Sequence, residues 1–159
     1  MMAKETKFVA DKMLGSLARW LRLLGYDTTY PDEDNDRALI DMAKKEDRIL
    51  LTRDYEMTKR RECKEISLIF IENEGGEKQV AEVFSSLGIK PDRELMLTRC
   101  SVCNSKIEEV NKSDAKSRVP PGVFEMQDKF WKCPDCGRFY WMGTHWEKII
   151  ATAGKMEQS

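Results

Sequence analysis

The chain has 159 residues, enough for one sizeable domain or one domain with a small module. Charged residues make up 35%, against roughly 25% in an average domain, and mean hydropathy is −0.58. No run approaches the roughly 18 apolar residues of a membrane span, and a net charge of −1 does not announce a nucleic-acid partner through bulk electrostatics. The N-terminal Met1–Thr6 has no apolar signal core, so the expected location is cytoplasmic.

The first apolar run, Phe8-Val9-Ala10, ends on Asp11, and Lys7–Ala10 is predicted as a strand. Leu14, Leu17, Ala18, Leu21 and Leu24 then recur at helical spacing, with Gly25 placed to close the helix. Arg19 and Arg22 lie three apart on that helix. Asp27–Tyr30 is a short second strand stopped by Pro31. Asn35 is a candidate N-cap for a helix running to Glu46, with Leu39, Met42 and Ala43 inward. Arg48–Leu51 is a third strand; its run continues through Thr52 and Arg53 to a second terminal aspartate, Asp54. A basic helical stretch follows over Tyr55–Cys63. Ile66–Ile71, apolar but for Ser67, is expected to be a central fourth strand. Gly75-Gly76 leads into a helix carrying Val80, Val83, Phe84 and Leu87, closed by Gly88. Alternation of strand and helix implies a parallel, Rossmann-like three-layer sheet.

The pattern changes near Pro91. Leu95–Thr98, Ile107–Val110 and Phe139–Trp141 are strand-like, and Lys112–Gly122 is polar and reads as loop. Cys100-Ser101-Val102-Cys103 and Cys133-Pro134-Asp135-Cys136 are separated by 29 residues. Two such pairs supply four thiolates, which suits tetrahedral zinc with no open position, hence a structural ion. A Cys₄ iron centre has the same spacing, and a redox dithiol is the remaining alternative. Asn104 and Gly137 follow each pair, where a knuckle turns tightly. Phe130, Trp131, Phe139, Tyr140, Trp141 and Trp146 crowd the same region beside Lys129, Lys132 and Arg138. They either stack unpaired bases or pack the small module onto the main domain. His145, the sole histidine, is either a phosphate contact or a packed side chain. Cys63 has no assigned role.

Asp11 and Asp54 end parallel strands, at the edge where open α/β sheets bind ligands. The acidic stretch Asp32–Asp36 opens the second helix and brings Asp36, with Asp34, toward Asp11. Three carboxylates there would hold Mg²⁺ or Mn²⁺. Each also has an ordinary reading as a cap or first-turn acid. Charge is segregated: residues 27–47 carry eight acids and three bases, whereas residues 48–63 carry five bases and three acids. Lys12, Arg19, Arg22 and Arg53 either grip a phosphodiester backbone or form solvated ion pairs.

These motifs together, from Phe8-Val9-Ala10-Asp11 through Leu14–Asp27 and Ile49–Asp54 to Arg99–Asn104 and Cys133–Trp146, resemble the Mut-seven C-terminal RNase family over residues 7–148. The resemblance implies a PIN-like nuclease domain over residues 1–94 and a zinc ribbon over 95–150; the end, Ala151–Ser159, reads as a flexible, frayed helical tail. It implies a metal-dependent ribonuclease, with RNA as partner, structural zinc on Cys100, Cys103, Cys133 and Cys136, and catalytic Mg²⁺ or Mn²⁺ on Asp11, Asp36 and Asp54. A fourth acid found in many PIN domains has no marked counterpart; Glu72 follows the fourth strand. The rival readings are a non-catalytic RNA- or ribosome-binding module and a ribbon that recruits a protein. The sequence does not point to any particular protein partner.

Overall fold

The computed structural model describes residues 5–31, 35–143 and 151. Four parallel strands, β1 (Lys7–Ala10), β2 (Asp27–Thr29), β3 (Ile49–Thr52) and β4 (Leu68–Phe70), lie in the order β2-β1-β3-β4. Successive side chains of a strand face opposite sides, and both sides here are covered. Phe8, Ala10 and Leu51 meet Leu17 and Leu21 of α1 (Gly15–Leu23) and Val80, Val83 and Phe84 of α4 (Gly76–Leu87). Val9 and Leu50 meet Leu39, Ile40 and Ala43 of α2 (Asp36–Glu46) together with Met57 and Cys63. The three-layer α/β architecture follows directly from this alternation.

Local signals end the helices where expected. The Asn35 side chain accepts from the Arg37 N–H at 2.9 Å and caps α2. Gly25 has φ 99°, and a Cβ there would lie 2.2 Å from the Leu95 carbonyl oxygen, so the site needs glycine on two counts.

Four stretches differ from the sequence expectation. The basic stretch is not one helix: α3 (Tyr55–Thr58) stops, Arg60 turns extended, and a 3₁₀ turn covers Arg61–Glu65. In a continuous helix Met57 and Cys63 would point about 120° apart. The break turns both onto the α2 side of the sheet. β4 is an edge strand, half-buried, while β1 and β3 hold the centre. After α4 the chain does not return to pair with β4. It crosses to the C-terminal end of α1, where the Leu97 N–H donates to the Leu23 carbonyl at 3.1 Å. That crossing also explains why 95–98 forms a turn with Leu97 at φ 61° rather than a strand. Finally, the polar stretch 112–122 holds α5 (Lys112–Ala115) and the start of α6 (Pro121–Met126). Ala115 and Val119 are its anchors; both are buried against Phe130.

A second sheet, antiparallel in the order β5-β6-β7, comprises β5 (Glu108–Val110), β6 (Phe130–Lys132) and β7 (Phe139–Tyr140). Cys100, Cys133 and Tyr140 join the apolar cluster on the α1 and α4 side of the main sheet. Polar contacts lock the two sheets. β2 would otherwise expose an edge, which invites pairing with other chains. Instead the Thr28 N–H donates to the Asn104 side chain at 3.0 Å, and the Thr28 carbonyl accepts from Arg22 at 2.9 Å. Asn104 also donates to Asp27 at 2.7 Å, and Asp27 receives Arg48 at 2.8 Å. No helix among the described residues is long and apolar enough to cross a membrane.

Candidate acidic cleft and metal centre

The chain runs outward from β1 in opposite directions: α1 leads to β2 on one side, α2 to β3 on the other. The crevice between β1 and β3 is therefore the switch point of this sheet, where ligands of open α/β folds bind. Asp11 follows β1 and Asp54 follows β3 at that crevice. With Asp36, from the first turn of α2, they line an open cleft of about 450 Å³ that also presents Lys12, Arg53 and Tyr55.

Backbone and side-chain bonds set the two strand-end acids. The Asp11 N–H continues the parallel ladder by donating to the Leu51 carbonyl at 3.0 Å. One Asp11 oxygen accepts the Lys12 N–H at 2.7 Å; the other accepts the Thr52 hydroxyl at 2.8 Å. The same Thr52 oxygen accepts the Asp54 N–H at 3.0 Å. One fully buried hydroxyl thus ties both acids to one position. Asp54 in turn caps α3 through the Glu56 N–H at 3.0 Å, and Asp36 receives Arg60 at 3.4 Å. A carboxylate offers about four lone-pair sites, so Asp11 and Asp54 keep acceptor capacity beyond these bonds. The three carboxylates share the cleft without converging: among the described residues, only the four ribbon thiols bring three or more ligand atoms within 4.8 Å of one another.

The basic residues separate into three groups. Lys12 and Arg53 stand at the cleft. Arg19 lies beside it, in a pocket of about 260 Å³ shared with Ser16, Tyr30 and Arg22; the Tyr30 hydroxyl donates to the Lys12 carbonyl. Arg22, although three residues from Arg19, is only 8% exposed. Its guanidinium donates to the carbonyls of Thr28 at 2.9 Å and of Ser101 and Val102 at 3.0 Å each. Arg22 joins the main sheet to the first knuckle rather than reaching the acids. Burial lowers its pKa, and the nearby Cys100 and Cys103 pull it back. Thr52 was not singled out by sequence reasoning. Its one signal is a polar β-branched residue closing an apolar strand two positions before an acid. Asp34, His145 and Trp146 lie outside the described residues.

The cysteine pairs form two matching knuckles. Asn104 and Gly137, at φ 73° and 78°, each donate their N–H to the carbonyl of the first cysteine of their pair at 2.9 Å. Cys100 Sγ stands 3.6 Å from Cys136 Sγ, and Cys103 Sγ 3.4 Å from Cys133 Sγ. These separations are far beyond the roughly 2 Å of a disulfide. A tetrahedral ion with bonds of about 2.3 Å spaces its sulphurs about 3.8 Å apart, so the four thiols fit a single metal. Convergence of both pairs on one point also separates the site from an isolated redox dithiol. The buried Tyr140 hydroxyl pairs with Cys100 Sγ at 2.9 Å and accepts the Ser101 N–H at 3.0 Å. Burial pushes Tyr140 up to about 12, and Cys133 likewise to about 12. At Cys103 burial also acts upward, but hydrogen bonds from Ser105 outweigh it and bring the thiol down to about 6.

A family model described as the Mut7-C RNAse domain matches residues 6–153. The chain belongs to the Mut7-C RNase family. The matched span contains the parallel sheet, the acidic cleft and both knuckles. No curated protein and no solved structure gives a match. Of the ribbon aromatics, Phe130 and Tyr140 are packed inside; Trp131, Phe139 and Trp141 are half-buried.

Proposed function

We propose that this Mut7-C domain is a metal-dependent ribonuclease with a PIN-like core, in which Asp11, Asp36 and Asp54 hold Mg²⁺ or Mn²⁺ and RNA is the substrate. The observation that carries the reading is the cleft itself: three carboxylates from three elements line one opening at the switch point of the sheet. Hard oxygen donors of this kind suit Mg²⁺ or Mn²⁺. Such an ion orients a water and neutralises charge on the scissile phosphate. Thr52 keeps the Asp11 carboxylate turned into the cleft and the Asp54 backbone in register with it. Lys12 and Arg53 place positive charge at the rim, where they draw the phosphate in and stabilise charge that develops on its oxygens. Arg19, in the neighbouring pocket, takes the strand as it leaves the cleft. The ribbon thiols hold zinc as a structural ion, consistent with four protein ligands and no open position. A reducing, cytoplasmic setting belongs to this reading, since there such thiols bind metal rather than oxidise.

Purified protein with Mn²⁺ and single-stranded RNA tests the proposal. Asp11→Asn and Asp54→Asn are expected to lower cleavage at least about a hundredfold while RNA binding persists. Equal cleavage by these variants, or none by the parent protein, refutes it. One observation favours a second reading, a non-catalytic RNA-binding module: Asp11 and Asp54 both cap turns and Asp36 pairs with Arg60. Under that reading the parent protein binds RNA and cuts none.

A further inference from the structure

The ribbon has a cleft of its own, about 420 Å³, lined by Arg118, Arg138, Phe139, Trp141, Cys136 and Gly137. We propose that it binds one unpaired nucleotide of an RNA strand, its base stacked on Phe139 or Trp141 and its phosphate against Arg118 and Arg138. The proposal rests on the ribonuclease reading for the identity of the strand.

Two independent features of the cleft point to this ligand. The first is charge. Arg118 and Arg138 are exposed, and among the described residues neither makes an ion pair. Four thiolates around a divalent ion carry a surplus of two negative charges, which offers one reason for nearby arginines. Arg22 already answers it from the buried side, with its guanidinium on the carbonyls of Ser101 and Val102. Arg118 and Arg138 face open space instead. Two guanidiniums on one cleft match a phosphodiester, which each can meet with forked hydrogen bonds.

The second feature is the rings. In this small module Phe130 and Tyr140 satisfy the need for core by complete or near-complete burial. Phe139 and Trp141 do not: one part packs on the cluster around Ala115, Val119 and Phe130, and another part lines the cleft. Packing from behind holds the rings still, which lowers the entropy cost of stacking a base on them. Lys132 approaches the Phe139 ring at 5.7 Å and adds positive potential to the same edge. The backbone leaves room as well. Gly137, at φ 78°, has nothing within 4 Å of where a Cβ would stand. Arg118 follows Ser117, held at φ 67°, a conformation uncommon outside glycine. Cation and π-face together describe sequence-tolerant binding of a single strand, not readout of a duplex.

The test uses the full chain and a fluorescent ten-nucleotide oligouridylate, without added divalent ion, read by anisotropy. Arg118→Ala/Arg138→Ala is expected to weaken binding at least about tenfold. It should also reduce the slope of log affinity against log salt by about 0.7, as for one phosphate on a single strand. Both side chains are exposed, so thermal unfolding should match the parent. Trp141→Leu is expected to weaken binding about tenfold and Trp141→Phe much less, which separates stacking from packing. Unchanged affinity and salt slope in the double arginine variant overturn the proposal, as does a parent protein that binds no oligouridylate. An arginine variant that keeps oligouridylate binding but loses binding of an acidic peptide seen with the parent would assign the patch to a protein partner and overturn it equally. Cleavage with Mn²⁺ is scored separately. A parent that cuts RNA while the arginine variant binds normally refutes only this site. A parent that never cuts while the variant loses binding refutes only the catalytic reading.

Discussion

Replacing Thr52 with valine removes one oxygen and almost no volume. The side chain is fully buried, and its hydroxyl makes two bonds that no neighbour can replace: it donates to Asp11 at 2.8 Å and accepts the Asp54 N–H at 3.0 Å. A hydrogen bond to a charged group is worth about 1.5–3 kcal/mol, and a part-buried N–H left without an acceptor costs about 1–3 kcal/mol. Valine returns a methyl in place of the hydroxyl, which offsets part of this. The net expectation is a loss of about 3 kcal/mol, or roughly 6–12 °C in the thermal midpoint of a chain this size. Activity should fall at least about tenfold, because Asp11 is freed to rotate and Asp54 loses its backbone anchor. Thr52→Ser keeps the hydroxyl and loses one methyl, so it should cost about 1 kcal/mol and keep activity within a few-fold. Urea unfolding and an RNA cleavage assay on the same preparations check both. A valine variant as stable and active as the parent refutes the reasoning, and so does a serine variant as impaired as valine.

Arg22→Met strips donors from three carbonyls at the junction of sheet and ribbon. A loss of about 3 kcal/mol or more and faster proteolysis between residues 88 and 99 are expected; an unchanged unfolding midpoint would refute the role. Metal analysis should find one zinc per chain. Its removal by a chelator should lower the thermal midpoint and expose all four ribbon thiols to a thiol reagent, since Cys100 and Cys133 belong to the shared apolar cluster. Stability unaffected by metal loss would contradict this. At Asp27, burial acts to raise the carboxyl, but hydrogen bonds from Arg48 and Asn104 outweigh it and hold the pKa below its ordinary value. Its contribution is therefore complete above the unfolded-state pKa near 4 and is lost as pH falls through the lower folded-state value. Asp27→Asn should flatten the acid limb of the stability–pH curve, measured by urea unfolding between about pH 5 and 2. An acid limb as steep as the parent's would count against the pair.

Much of the fold was legible because it rests on neighbours along the chain. β1 and β3, the Asn35 cap, the Gly25 and Gly88 helix ends and the two cysteine pairs all follow from spacing and residue type. So did the pairing of Asp11 with Asp54, since two parallel strands must end at the same edge of a sheet. The break after Thr58 was not legible, because helical propensity says nothing about which sheet face Cys63 must reach. Neither was the edge position of β4: an apolar run looks the same whether a neighbouring strand or helix and loop cover it.

The candidate site divides in the same way. The residue types came from the sequence alone: acids at strand ends, arginines on the first helix, four thiols in two knuckles. Their division of labour came from tertiary structure. Arg19 and Arg22 share a helix and line one pocket beside the cleft, yet Arg22 is buried with its guanidinium spent on carbonyls of sheet and ribbon. Thr52 matters only because residues 41 positions apart meet across a ladder. Local rules act over a turn or a strand and can be read along the chain. Which donors find which acceptors across it depends on how distant segments pack, and only the folded chain decides that.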